Sequence, residues 1–118
     1  MIEITQEFRF DAAHSLLAGA ETNRRVHGHS FHAEVTLRGE PDPKTGMVQD
    51  LGEVKSALRG LSGILDHRML NDIPDLGEPT LENLAQFIFR QAKQCLPAVV
   101  RVCVRRPSCG QSCVYEES

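Results

Sequence analysis

Two stretches of the chain, residues 2–14 and 27–38, alternate apolar and polar side chains over most of their length, and a chain carrying two such runs has few ways to bury them. In the first, Ile2, Ile4, Phe8, Phe10 and Ala12 hold even positions, while Glu3, Thr5, Glu7, Arg9 and Asp11 hold odd ones. In the second, Phe31, Ala33, Val35 and Leu37 share one parity, and His32, Glu34, Thr36 and Arg38 the other. A period of two belongs to a strand with one face in the core and one in water. The intervening "LLAGAETNRR" predicts a loop rather than a tight hairpin turn.

Beyond these runs the pattern changes period. "GEPDPKTG" (39–46) is a turn cluster. Asp50, with Glu53 three residues on, marks a helix start close to a capping box. Leu51, Val54, Leu58, Leu61 and Leu65 then form one apolar face, weakened near its end by Gly60 and Gly63. Residues 66–79 predict an irregular connection. Thr80 is placed to cap a second helix with a core stripe of Leu81, Leu84, Ala85, Ile88, Ala92 and Cys95, ended by Pro97. Val99–Val104 and "CVYEE" predict two last strands around "RRPSCGQS". The order strand, strand, helix, helix, strand, strand predicts an α+β fold: a four-stranded antiparallel sheet with both helices on one face. Residues 1–118 are expected to form one domain, and strands this long leave edges that an oligomer would cover.

Composition narrows the partners. With 13 basic and 16 acidic residues the formal net charge is −3, which gives no general attraction to nucleic acid or an anionic membrane. No apolar run approaches the roughly 20 residues needed to span a bilayer. "MIEITQEFRF" lacks the basic start and apolar block of a signal peptide, so a cytoplasmic location is expected. Cys95, Cys103, Cys109 and Cys113 crowd the last quarter of the chain, a distribution that suits reduced thiols better than a disulfide framework. Cys109 and Cys113 do not form a paired zinc-ribbon signature, and loop or strand packing accounts for both.

Histidines fall where the two alternating runs meet. His14 continues the apolar parity of the first run, and His27 and His29 open the apolar parity of the second, with Gly28 between them. If the runs pair antiparallel, the three imidazoles converge at one end of the sheet. Buried without partners, each would cost a few kcal/mol in lost hydration. A metal removes that cost, and three histidines with one open position is an arrangement of catalytic zinc. Copper and nickel also accept imidazole, and the alternative is a strand cap and a turn. His32 has solvent-facing parity. His67 follows Asp66 in "LDHRMLND", a pair in which the carboxylate can orient the imidazole and raise its basicity.

"FDAAH", "VHGHSF", "GMVQDLGEVKSAL", "LDHRMLND" and "PTLENLA", in this order, resemble the 6-pyruvoyl-tetrahydropterin synthase family, and within it the 6-carboxy-5,6,7,8-tetrahydropterin synthase branch of queuosine biosynthesis. The resemblance implies the tunnelling fold, in which subunits join their sheets into an oligomeric barrel, usually a hexamer built as a dimer of trimers with active sites at subunit interfaces. It implies zinc on His14, His27 and His29, acting as a Lewis acid, and 7,8-dihydroneopterin triphosphate as the pterin substrate. It further implies proton exchange by a cysteine assisted by Asp66 and His67, with triphosphate, and in this branch acetaldehyde, leaving.

Two positions depart from that pattern. The family cysteine lies four residues before the first histidine of "HGH", where this chain has Asn23, an amide that cannot act as a base near neutrality. A pterin-gripping glutamate falls near Arg106, which has donors only. Thr80 and Glu82, at the start of the second helix, are retained as pterin-binding candidates, although a cap and a first-turn acid explain them equally. Arg24 and Arg25 suit a triphosphate, or simply a solvated loop. Three functions follow: a zinc-dependent pterin lyase whose missing base is replaced by Asp66–His67 or by Cys109; an enzyme of the same scaffold with a different pterin-like substrate; or a zinc-containing oligomer that binds a pterin or a partner without turnover.

Overall fold

The computed structural model describes residues 1–117 and forms a single antiparallel sheet of four strands. The strands β1 (Ile2–His14), β2 (His27–Gly39), β3 (Val99–Arg106) and β4 (Gln111–Glu116) lie side by side in chain order. Their β1–β2 register runs unbroken from Ile2 opposite Gly39 to His14 opposite His27. The predicted parities hold: Phe31, Ala33, Val35 and Leu37 are fully buried, and Phe10 and Ala12 on the neighbouring strand are buried. The opposite face carries polar pairs, including Thr5 with Thr36 and a charged row of Glu3, Arg38, Arg101 and Glu116 that crosses all four strands.

Both long helices cover the apolar face. Helix α1 is a single turn (Glu21–Arg24), α2 spans Leu51–Leu65 and α3 spans Leu81–Cys95. Asp50 caps α2 by accepting from the Gly52 N–H at 3.0 Å, and Thr80 caps α3 through the Asn83 N–H at 3.1 Å. Packing of α2 against β1 and of α3 against β3 and β4 closes one hydrophobic core.

Four details differ from the sequence pattern. The loop between β1 and β2 contains α1, whose Asn23 carbonyl accepts from the Leu16 N–H at 2.8 Å. Gly19 there has φ +92°, a backbone sign that calls for glycine; a Cβ would also approach the Asn23 amide to 2.9 Å, which the flexible side chain could relieve by moving. Leu51 is exposed, because it stands over Ile2 and Ile4 where the sheet begins and the core has thinned out. Cys95 is exposed rather than in the core stripe: α3 ends there, and Leu96 takes the inward position as the chain turns. Phe87 and Phe89 are buried, which widens the apolar face of α3 beyond the predicted stripe.

The connection after α2 does more than link helices. Its residues 66–69 lie along the outer edge of β1, where the His67 N–H donates to the Asp11 carbonyl (2.7 Å) and the Ala13 N–H to the Arg68 carbonyl (3.0 Å). The Asp11 N–H donates to Asp66 Oδ1 at 2.9 Å. These bonds hold His67 at φ 57°, a left-handed conformation that costs a non-glycine residue about 1–2 kcal/mol. They also cover the edge of β1 beside the histidine cluster.

Candidate metal centre and cleft

His14 and His27 occupy one register position of the β1–β2 pair, and His29 is opposite Ala12, so strand pairing alone brings the three rings together. Ring centroids are 4.6 Å apart for His14–His27, 5.0 Å for His14–His29 and 4.8 Å for His27–His29. One potential ligand atom from each lies within 4.8 Å of the others. Phe31 backs the cluster, its ring 5.6 Å from His29 and 6.0 Å from His14.

Backbone carbonyls decide which nitrogens face inward. His14 Nδ1 lies 2.8 Å from the Pro79 carbonyl, and His27 Nδ1 lies 2.8 Å from the Arg25 carbonyl. A carbonyl accepts only, so each Nδ1 carries the proton and each neutral ring presents a bare Nε2. Those two Nε2 atoms sit 3.1 Å apart with no proton to share. His29 Nε2 is buried with no partner, an arrangement that costs about 1–3 kcal/mol if nothing binds there. Tetrahedral zinc with nitrogen ligands would place them roughly 3.3 Å apart, close to the observed contact. The donor set thus fits one divalent cation, and the carbonyls supply the outer-shell support that fixes ligand tautomers.

Electrostatics favour the neutral form of His14 and His29. Burial pushes the His14 imidazole below its ordinary pKa, aided by the neighbouring His27 and Arg106. His29 is pushed down to about 4, by burial first and then by His14, Arg106 and His27.

A cleft of about 420 Å³ opens beside the cluster, lined by Leu16, Thr22, Asn23, His27, His29, Arg106, Cys109 and Gln111. Asn23 and Arg106 therefore face it. Cys109 comes from the 3₁₀ turn Pro107–Cys109 between β3 and β4, closed by Gly110 at φ 66°, and its Sγ lies 3.9 Å from His29 Nδ1. Cys113 instead packs against the core from β4, where burial raises its thiol pKa. Thr80 caps α3, Glu82 is exposed in its first turn and Arg24 is exposed on α1; none of the three lines the cleft.

Asp66 and His67 form a pair at 2.9 Å, with His67 largely exposed. Hydrogen bonds from the Asp11 N–H and from His67 hold the Asp66 carboxyl below its usual range, and Asp66 raises His67. His67 opens on a second depression of about 570 Å³, shared with Asp11, Gly28, Ser30 and, from the cluster, His29 alone. Within one chain the pair and the cleft are thus separate. Sequence inspection missed Leu16, Thr22 and Gln111 as lining residues and the carbonyls of Arg25 and Pro79 as ring supports. Of these, only Pro79, directly before a helix cap, had a signal to offer.

An antiparallel sheet with two covering helices and a three-histidine cluster at the β1–β2 end defines an α+β protein with a donor set that could hold a metal ion. The chain belongs to the 6-pyruvoyl tetrahydropterin synthase family, whose sequence profile matches residues 3–118. A dihydroneopterin monophosphate aldolase of Pyrococcus furiosus is 40% identical over 93 residues, covering 79% of this chain and 76% of that one. A 6-carboxy-5,6,7,8-tetrahydropterin synthase of Synechocystis is 38% identical over 96 residues, covering 77% and 74%. The solved 6-pyruvoyl tetrahydropterin synthase of Caenorhabditis elegans superposes with a TM-score of 0.85 at 26% identity, over 99% of this chain and 96% of that one. The fold is therefore that of the family, and the family is one of lyase-type pterin synthases.

Proposed function

We propose that this protein is a zinc-dependent pterin lyase acting on 7,8-dihydroneopterin triphosphate or a close phosphorylated relative. The observation that carries the proposal is the buried, unpartnered Nε2 of His29 in a three-histidine cluster whose potential ligand atoms lie within 4.8 Å of one another beside a cleft. When bound there, zinc supplies a Lewis acid that polarises substrate oxygens and acidifies the adjacent carbon–hydrogen bonds.

The chain's own groups divide the remaining work. The Pro79 and Arg25 carbonyls orient His14 and His27, so these two rings would present Nε2 to an ion without a change of tautomer. Asn23 donates and accepts hydrogen bonds but moves no proton. The Cys109 Sγ is the thiol that borders the cleft, and it is placed to exchange protons with a substrate held beside His29. Asp66–His67, a basic imidazole oriented by a carboxylate at the covered edge of β1, serves the site of an adjacent copy. Thr80, Glu82 and Arg24, outside the cleft in one chain, act as substrate contacts only in such an assembly.

A second reading has its own support. Similarity to a dihydroneopterin monophosphate aldolase, together with the amide at position 23, favours a retro-aldol cleavage of the side chain of a monophosphate substrate. That reaction breaks the bond between the first two side-chain carbons: one hydroxyl proton is lost to a base, and the carbon next to the ring is reprotonated. Zinc-loaded protein given either phosphorylated dihydroneopterin separates the two. Triphosphate release with a reduced pterin supports the lyase; a hydroxymethyl pterin with a phosphorylated two-carbon aldehyde supports the aldolase. Turnover of neither leaves a zinc-containing pterin-binding protein. In the lyase case Cys109→Ala abolishes turnover and Asn23→Cys increases it; unchanged rates in both variants contradict the assigned roles.

A further inference from the structure

Arg106 is the last residue of β3, opposite Gln111 of β4, with its side chain in the cleft wall. Its Nε is buried and has no hydrogen-bond partner among the described residues, and no carboxylate pairs with it. The other arginines are placed differently. Arg9, Arg25, Arg38, Arg101 and Arg105 each hold a glutamate. Arg24, Arg59, Arg68 and Arg90 are exposed, where water serves the N–H groups, and Arg90 also donates to the Asp75 carbonyl. Arg106 alone combines partial burial with an unanswered donor among the described residues.

A guanidinium does not deprotonate in a protein, so this charge is permanent, and a half-buried charge without a counter-ion costs folding free energy. The cleft around it holds no carboxylate: its polar members are Thr22, Asn23, His27, His29, Cys109 and Gln111. A volume of about 420 Å³ is within the range of small-molecule sites. The planar fork of donors matches two oxygens of a phosphate or carboxylate, and it has nothing to offer a ring edge made of N–H donors.

We infer that Arg106 is the receptor for an oxyanion, a phosphate or carboxylate carried by the small molecule that occupies this cleft beside the three histidines. The identity of that molecule as a pterin rests on the function proposed above; the anion site itself does not. Specificity at this end of the cleft then comes from the ligand's negative group, and an uncharged analogue loses the interaction.

Calorimetric titration of the full-length protein at fixed ionic strength tests this. The probes are inorganic phosphate, acetate, 7,8-dihydroneopterin and its monophosphate. The proteins are the wild type, Arg106→Gln, Arg106→Lys and, as a control of equal charge change on an exposed helix face, Arg59→Gln. Phosphate or acetate should bind the wild type and Arg59→Gln alike, and about 10- to 100-fold more weakly to Arg106→Gln. Arg106→Lys should fall between, having charge without the fork. Preference for phosphate over acetate, or the reverse, identifies the anion. Failure of both bare anions to bind the wild type overturns the inference. So does binding unaffected in Arg106→Gln, since the anion would then sit elsewhere or on the metal alone. The pterin pair keeps the two proposals apart. If neither pterin binds while phosphate still depends on residue 106, the pterin reading fails and the anion site stands. If both pterins bind and the preference for the monophosphate is the same in Arg106→Gln, the anion site fails and the pterin reading stands.

Discussion

A histidine whose Nδ1 is held by a carbonyl has only its Nε2 left to use, and His14 and His27 are both so held. That pair of backbone contacts converts a cluster of rings into a cradle. Parity made the convergence of His14, His27 and His29 legible in the sequence, because side-chain direction along a strand is fixed by counting. The company they keep was not legible in the same way. Arg106 reaches the cleft from the end of β3 and Cys109 from the β3–β4 turn, and nothing in the spacing of "RRPSCGQS" says how far that end reaches across β2. The Asp66–His67 pair gives a prediction at this scale. Asp66 raises the His67 pKa, so in a titration followed by NMR the His67 ring should change charge above its ordinary value of about 6.5, and Asp66→Asn should bring it back toward that value. For stability the signs are opposed. The raised His67 contributes below the imidazole range and loses its contribution as pH climbs through the raised value. The lowered Asp66 contributes above the carboxylate range and loses its contribution as pH falls through the lowered value. The pair therefore stabilises the β1 edge only between those limits. An unshifted His67 in the wild type would show the two side chains are not paired in solution.

Among the elements, α3 is tied to the cluster by one peptide unit. Thr80 caps the helix, and the carbonyl of Pro79, one residue earlier, fixes the His14 tautomer. Thr80→Ala should cost about 1 kcal/mol in unfolding free energy, read from chemical denaturation. The same variant should bind metal more weakly, since a loosened cap moves the Pro79 carbonyl; unaltered metal affinity would uncouple the helix start from the site. The elements themselves were largely legible, because Asp50 and Thr80 are strong caps and the first two strands alternate over most of their length. Cys95 and Leu51 were misplaced at the ends of their helices. Periodicity assigns a face along the axis and cannot say where the sheet beneath it stops.

For the molecule as a whole, the sheet has two open sides. Residues 66–69 cover β1 only near Asp11–Ala13, leaving its N-terminal half and the outer edge of β4 unpaired among the described residues. Exposed strand edges of this length invite pairing between copies, and a β4-to-β1 contact repeated around an axis would close a ring. The covered part of β1 carries Asp66–His67, so such an assembly would bring the pair near a neighbour's cleft. Light scattering coupled to size exclusion should report a particle several times the 13.1 kDa chain, most simply a hexamer. A monomer at micromolar concentration would remove the route by which Asp66–His67 reaches a site.

The proposed function depends on the cradle holding an ion. Metal content measured by inorganic mass spectrometry, on wild type and on His29→Ala after dialysis against metal-free buffer, is the direct test. The cradle predicts about one zinc per chain in the wild type and almost none in the variant. A wild-type protein that retains no divalent metal, or a His29→Ala variant that retains as much as the wild type, would contradict it.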